Sequence, residues 1–324
     1  MTGTEAKEGA APDARRCAVV ALIGAPNAGK SSLVNALVGA KVSIVTHKVQ
    51  TTRARIRGVL VEDAVQLVFI DTPGIFEPKR RLDRAMVSAA WGALDGADAL
   101  VLIVDAPSYL AGGGDGRADA AARRAAADTD RIVAALAERK KKAILALNKL
   151  DAMPRERLLS LIARFDAVGV FSETFLVSAV RGDGLGDLKA RLKSLAPTGN
   201  WLYPDDQLSD LSDRLMAAEV TREKLFLRLH DEIPYEATVE TEAWTRTAKG
   251  ELRVEQTIYV AREGQKKIAI GEGGQTLKAI GAAARAELAE MLGETVHLFL
   301  HVKVRDGWLD EAARLRAIGL DVVD

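Results

Sequence analysis

The stretch "GAPNAGKS", Gly24 to Ser31, fits G-x-x-x-x-G-K-S and directly follows an apolar run, Cys17 to Ile23. A glycine-rich loop between a strand and a helix turns backbone N–H groups and the positive end of the helix toward one point, which suits phosphate. Gly24, Asn27, Ala28, Gly29, Lys30, Ser31 and Ser32 are the residues expected to meet a nucleotide there. Lys30 would reach the β- and γ-phosphates, and the Ser31 hydroxyl would serve Mg²⁺. Asp71 ends a second apolar run, where a carboxylate can hold Mg²⁺, and Gly74 of "DTPG" would offer its amide to the γ-phosphate.

"NKLD", Asn148 to Asp151, follows a third apolar run at the carboxyl edge, where open α/β sheets bind ligands. Asn148 is expected at the purine N7/O6 edge, with Lys149 beside it. The Asp151 carboxylate can accept from N1–H and N2–H₂, which adenine does not offer together, so guanine is selected. "VSA" places Ser178 and Ala179 after the next strand, with a backbone donor for O6. Four elements in this order predict a GTP site. Between the first two lies "KVSIVTHKVQTTRARIR", Lys41 to Arg57, with five Lys/Arg and no acid. Thr51 and Thr52 are both candidates for the hydroxyl that completes the Mg²⁺ shell, Thr52 being preferred. This segment is expected to order with GTP and loosen after hydrolysis. A solvated basic loop, or one that meets RNA phosphates, is compatible with the same residues. After Gly74 comes Ile75, where GTPases of the Ras type carry a water-orienting glutamine.

Such a site needs a sheet covered on both faces. Apolar runs at Cys17–Ile23, Ala64–Ile70, Leu100–Asp105, Ala143–Asn148 and Thr174–Val177 alternate with helix-like stretches, the rhythm of an α/β fold with a mostly parallel sheet. Leu110 to Asp128 reads as a flexible Gly/Ala-rich loop feeding a helix. "APTGNWLYPDDQ" reads as a linker, and the pattern then changes. A helix over Leu208–His230 precedes two alternating strands, the first with Ala237, Val239, Thr241 and Ala243 on one face. Next come two helices flanking "IGEGG" and a strand from Val296 to Val304, making an α-β-β-α-α-β unit. The division is a tail over 1–15, a nucleotide domain over 16–196, a linker over 197–207 and a second domain over 208–324.

Length and composition are compatible with this. The 324 residues suit about two domains, and Lys plus Arg equal Asp plus Glu at 45 each, so any nucleic-acid site must be local. The single Cys17 excludes an intramolecular disulfide and fits a reducing cytoplasm. Ala99 to Val104, the most apolar run, is far short of the roughly 20 residues that cross a bilayer. Spanning a membrane is excluded; resting on one stays open.

Together "GAPNAGKSSLVNALVG", "VQTTRARI", "DTPGI", "NKLD", "VSA", "REGQKKIAIGEGGQTLKAIG" and "HLFLHVKVRDGW" resemble the Era family of bacterial GTPases, whose P-loop GTPase domain precedes a type II KH domain. The resemblance covers Cys17 to the end, apart from the Gly/Ala-rich insertion. It implies a hydrophobic residue at Ile75 as the family's norm, and water positioned by backbone, Mg²⁺ and a K⁺ ion at Asn27. Lys30, Asn27, Thr52 and Gly74 would then serve slow GTP hydrolysis, stimulated by K⁺ and RNA. It also implies binding of the 3′ end of 16S rRNA and a role in assembly of the 30S subunit, by a cytoplasmic monomer able to touch the inner membrane.

The KH reading centres on Gly271-Glu272-Gly273-Gly274, with Ile270 before it and Lys266, Lys267 and Lys278 nearby. A loop of this kind grips a backbone of about four nucleotides. Glu272 stands where a basic residue is common, and Arg262 to Arg305 holds seven basic against five acidic residues, so charge adds little. "GWLDEAARLRAIG" is expected to cap this domain, with Trp308 as an anchor. Two other readings compete: a tRNA-modifying GTPase, for which the second half offers no reactive site, and a membrane-surface scaffold using Lys79, Arg80, Arg81 and Arg84.

Overall fold

A computed structural model describes residues 15–113, 119–308, 311, 316 and 320. The expected N-terminal tail falls almost wholly outside them. The first unit is built on a six-stranded sheet in the order β2-β3-β1-β4-β5-β6. The strands are β1 Arg16–Ile23, β2 Ile56–Glu62, β3 Val65–Asp71, β4 Ala99–Asp105, β5 Ala143–Asn148 and β6 Phe171–Leu176. All neighbours run parallel except β2, which pairs antiparallel with β3. β3 and β5 are buried at every position, as strands covered on both faces must be. β2 is a strand that the five apolar runs did not include, because its alternating "IRGVLVE" continues the basic stretch before it.

Helices α1 Lys30–Val38 and α6 Leu185–Leu195 cover one face, while α2 Arg81–Gly92, α3 Ala106–Gly112, α4 Ala120–Glu138 and α5 Leu158–Asp166 cover the other. Of the stretch expected as a flexible loop feeding a helix, residues 114–118 lie outside the described ones and α4 is the helix that follows; Asp105 caps α3 through the Ser108 N–H at 3.0 Å and Asp119 caps α4 through the Ala122 N–H at 2.7 Å. Gly112 lets the two meet, since a β-carbon there would lie 2.2 Å from the Ala122 carbonyl oxygen. The Tyr109 hydroxyl of α3 also donates to Asp130 of α4 at 2.5 Å.

Residues 197–207 run bonded along the sheet. The buried Gln66 side chain accepts from the Leu202 and Tyr203 N–H groups and donates to the Tyr203 carbonyl. Beyond them, α7 Asp213–Arg228, capped by Ser212, packs with α9 Gln275–Leu292 on a sheet of β7 Ala237–Arg246, β8 Leu252–Val260 and β9 Val296–Val304. β7 and β8 are antiparallel, and β8 and β9 parallel, joined through α8 Glu263–Ile270 and α9. A bulge between Thr241 and Ala243 shifts the alternation of β7, so Trp244 rather than Ala243 reaches the core. Trp308 is buried and donates from Nε1 to the Glu236 carbonyl at 3.0 Å. Most of the stretch expected to cap the same unit lies outside the described residues; Leu320, just after it, packs on Leu82, Ala85 and Met86 of α2.

Candidate functional site

β1 ends at Ile23, beside the point where the strand order reverses between β3 and β4, and the chain turns through Gly24–Gly29 into α1. That turn needs φ of +62° at Asn27 and +95° at Gly29. Gly29 also lies so near Asn148 that a β-carbon would sit 2.2 Å from Nδ2. The Lys30 ammonium folds back on the loop, donating to the Gly24 and Ala25 carbonyls at 3.0 and 2.9 Å. Burial pushes its pKa down to about 8, against the pull of Asp71.

Ser31, Thr52 and Asp71 converge beside it. The hydroxyls of Ser31 and Thr52 are 2.8 Å apart, and Thr52 Oγ1 is 3.5 Å from Asp71 Oδ2. Asp71 is fully buried, its pKa raised by that burial, and its Oδ1 has no protein partner. The Thr51 hydroxyl is engaged elsewhere, with Thr46 Oγ1 at 2.6 Å and the Lys48 carbonyl at 2.8 Å. A cavity of about 470 Å³ opens here, lined by Asn27, Gly29, Lys30, Ser31, Ser32, Thr52, Gly74 and Lys149 among others. Gly74 lines it because a β-carbon would strike Pro26 at 2.8 Å. Ile75 turns the other way, 2% exposed, and packs with Ile23, Ala90 and Leu102. Asn27 Nδ2 donates to the His47 carbonyl at 2.9 Å.

Asn148, 1% exposed, donates from Nδ2 to the Ala28 carbonyl at 2.9 Å and accepts at Oδ1 from the Ala179 N–H at 3.1 Å. Asn148 thus braces the phosphate loop against the loop that follows β6. Asp151 keeps one oxygen on Ser178 Oγ at 2.5 Å, a bond that lowers its pKa. Lys149 Nζ pairs with Asp105 at 2.7 Å. Asp105 and Ser108, which line the cavity, carry no motif that would have singled them out.

The basic segment is not a solvated loop. Lys41 pairs with Glu223 at 2.7 Å and also with Glu287, the Val45 N–H donates to Glu223, and Lys48 donates to the Leu229 carbonyl. Arg53 is 5% exposed, and burial, reinforced by the charge of Arg222, pushes its pKa down to about 9. Nearby Arg80, which the competing membrane-surface reading would turn to lipid, meets Glu236 at 3.2 Å. The nucleotide-side loop is thus bonded directly to the second unit.

In that unit, φ is +76° at Gly271, +57° at Gly273 and +78° at Gly274. A β-carbon at Gly271 would lie 2.2 Å from Thr276 Oγ1, so the loop depends on glycine there. Glu272 and Lys267 are exposed, Lys266 and Ile270 half-buried. Beside the loop, Gly274, Leu277, Lys278, Gly281, Leu298 and Leu300 line a partly apolar groove. His297 Nε2 lies 2.9 Å from Glu251, and among the described residues no cluster of His, Cys, Asp or Glu gathers to hold a metal. Among them also no helix is long and apolar enough to cross a membrane.

Residues 19–149 match the family described as 50S ribosome-binding GTPase, and residues 232–309 match the KH domain family. Fold and site therefore define a P-loop GTPase joined to a KH domain. The chain is 54% identical over 306 residues to the GTPase Era of Caulobacter vibrioides (strain NA1000 / CB15N), covering 94% of this chain and 96% of that one. It is 51% identical to the GTPase Era of Rhizobium meliloti (strain 1021), covering 99% and 98%. It belongs to the Era family of GTPases. A crystal structure of Era in complex with MgGDPNP and nucleotides 1506-1542 of 16S ribosomal RNA matches with TM-score 0.84 and 34% identity, over 94% of this chain and 99% of the other. Aquifex aeolicus Era bound to GDP and AlF₄⁻ matches with TM-score 0.82, 34% identity and the same coverage.

Proposed function

We propose that this GTPase binds the 3′ end of 16S rRNA and acts in assembly and maturation of the 30S subunit, with GTP hydrolysis as its switch. Residues 16–196 bind and hydrolyse the nucleotide, 208–324 bind the RNA, and 197–207 join them. The carrying observation is the convergence of Ser31 and Asp71 with Thr52, whose loop is bonded to the KH unit. The relative holding a 16S fragment supports the choice of RNA.

A buried carboxylate oxygen without a partner beside two hydroxyls suits a hard cation, and Ser31, Thr52 and Asp71 would hold Mg²⁺. Bound there, it would neutralise charge on the β- and γ-phosphates. Lys30 places its ammonium on the same phosphates, and Gly74 offers an N–H. Ile75 takes no part. Asn27, at the cavity and against the His47 carbonyl, is the residue for K⁺. Asp151 selects guanine, while Asn148, Lys149, Ser178 and Ala179 shape its seat. Gly271, Glu272, Gly273 and Gly274, with Lys266, Lys267, Ile270 and Lys278, form the RNA contact.

The test is single-turnover GTP hydrolysis in matched KCl and NaCl, with and without RNA carrying the 16S 3′ end. Acceleration by both is expected, with the K⁺ effect lost in Asn27→Ala. Acceleration by neither sinks the switch mechanism. An RNA pull-down set against liposome flotation separates this reading from a membrane-surface role.

A further inference from the structure

Thr52 lies between two residues held by the KH unit. On one side Arg222 of α7, 2% exposed, donates from Nη2 to the Thr51 carbonyl at 2.5 Å. On the other, Arg53 donates to the carbonyls of Pro234, Tyr235 and Ala237 at 3.2, 2.9 and 2.8 Å. Its guanidinium also lies 5.8 Å from the Phe226 ring and 5.6 Å from the Trp308 ring. Both peptide neighbours of Thr52 are thus fixed from a different domain, while its own hydroxyl rests 2.8 Å from Ser31.

These contacts form or break as a set. A buried guanidinium is costly unless its donors are paired, and every hydrogen bond of Arg53 named above crosses the interface. Arg222 is anchored by Glu219 on its own helix, so its Thr51 contact is presented by a fixed side chain rather than a wandering one. An interface serving adhesion alone has no need to place two buried arginines on the two residues flanking one hydroxyl.

We infer that Arg53 and Arg222 are positioning residues, through which the docked KH domain sets the Thr52 hydroxyl at Ser31 and so favours triphosphate over diphosphate. The inference rests on the proposed reading of Thr52 as a hydroxyl that joins the metal only when the γ-phosphate is present. Because coupling is reciprocal, triphosphate tightens docking by the same factor.

The experiment is titration of a fluorescent GDP and a non-hydrolysable GTP analogue into the full chain, in Mg²⁺ and in EDTA, below the lowest melting temperature of the set. The set is wild type, Thr52→Ala, Arg53→Gln, Arg222→Gln and Arg222→Lys. Arg222→Gln and Arg53→Gln are expected to lose about tenfold in affinity for the triphosphate in Mg²⁺, well within the span of coupled sites. GDP affinity should stay within about twofold, and the difference should vanish in EDTA. Arg222→Lys, with a single ammonium in place of the planar fork, should recover part of the loss. If Arg222→Gln does not fold, Arg222→Lys carries the test, with a loss of about threefold confined to the triphosphate. Equal losses on both nucleotides, or none, while Thr52→Ala still discriminates, overturn the inference alone. Wild-type behaviour of Thr52→Ala overturns the reading of Thr52, and the inference with it.

Discussion

Asn148 Nδ2 donates to the carbonyl of Ala28 over 2.9 Å, so the loop that follows β5 and the phosphate loop are one bonded piece. Asn148→Ala removes that bond and the acceptor of the Ala179 N–H, stranding two backbone groups at about 1–3 kcal/mol each. GDP and the triphosphate should both weaken by at least about tenfold, with a lower melting temperature, in fluorescence titration and calorimetry. Unchanged affinity would show the brace to be dispensable.

Lys30 should make nucleotide binding consume a proton. Its pKa falls from 10.5 to about 8 on burial. A cation depressed in this way lowers the stability of the nucleotide-free protein below about pH 8. The penalty is relieved between about pH 8 and 10.5, where the unfolded chain still holds a proton that the folded one has released. Phosphate restores that proton, so GDP affinity should fall as pH rises above about 8. Titration calorimetry near pH 8.5 in two buffers of different ionisation enthalpy should show proton uptake. No uptake would mean that Lys30 is already fully charged in the free protein.

Ile75→Gln should not create a Ras-like catalyst. The side chain is 2% exposed among Ile23, Ala90 and Leu102, so an amide there is buried without partners, at a cost of roughly 1–3 kcal/mol. Denaturant unfolding should shift and single-turnover hydrolysis should not rise. A faster enzyme with unchanged stability would place this residue at the nucleotide instead.

Glu272 is exposed at the tip of the glycine loop, where a bound phosphate would feel its charge. Glu272→Lys should tighten single-stranded RNA binding at low salt and steepen the log K against log salt plot by about 0.7. Gly271→Ala, which drives a β-carbon into Thr276, should weaken RNA binding while leaving GDP affinity unchanged. An unaltered salt slope in Glu272→Lys would mean that phosphate passes elsewhere.

What the sequence disclosed and what it hid divide on a physical line. Local signals survive folding: the phosphate loop, the strand before it, Asp71 at the end of β3 and the glycines between α8 and α9 lie as their spacing required. Partners far apart in the chain leave no such trace. Nothing near "NKLD" announces that Asn148 spends its amide on Ala28. Arg53, in a stretch whose composition reads as solvated, is buried because carbonyls from 234 to 237 receive it. β2 was concealed since a half-exposed strand at a sheet edge keeps its charged alternates. The bulge at β7 defeated strict alternation, and glycine excess hid the short helix α3, which meets α4 by close backbone approach.

Trp308, whose ring lies beside Arg53, follows β9, the last strand among the described residues. Chains are made from the N-terminus, and early domains fold while later ones are still being added. The GTPase domain therefore acquires its phosphate loop before the indole that shelters Arg53 exists. Through that interval Arg53 also lacks the carbonyls of Pro234, Tyr235 and Ala237 that receive it in the finished structure. Synthesis of the second unit as far as Trp308, rather than arrival of a ligand, is the first event that joins the two.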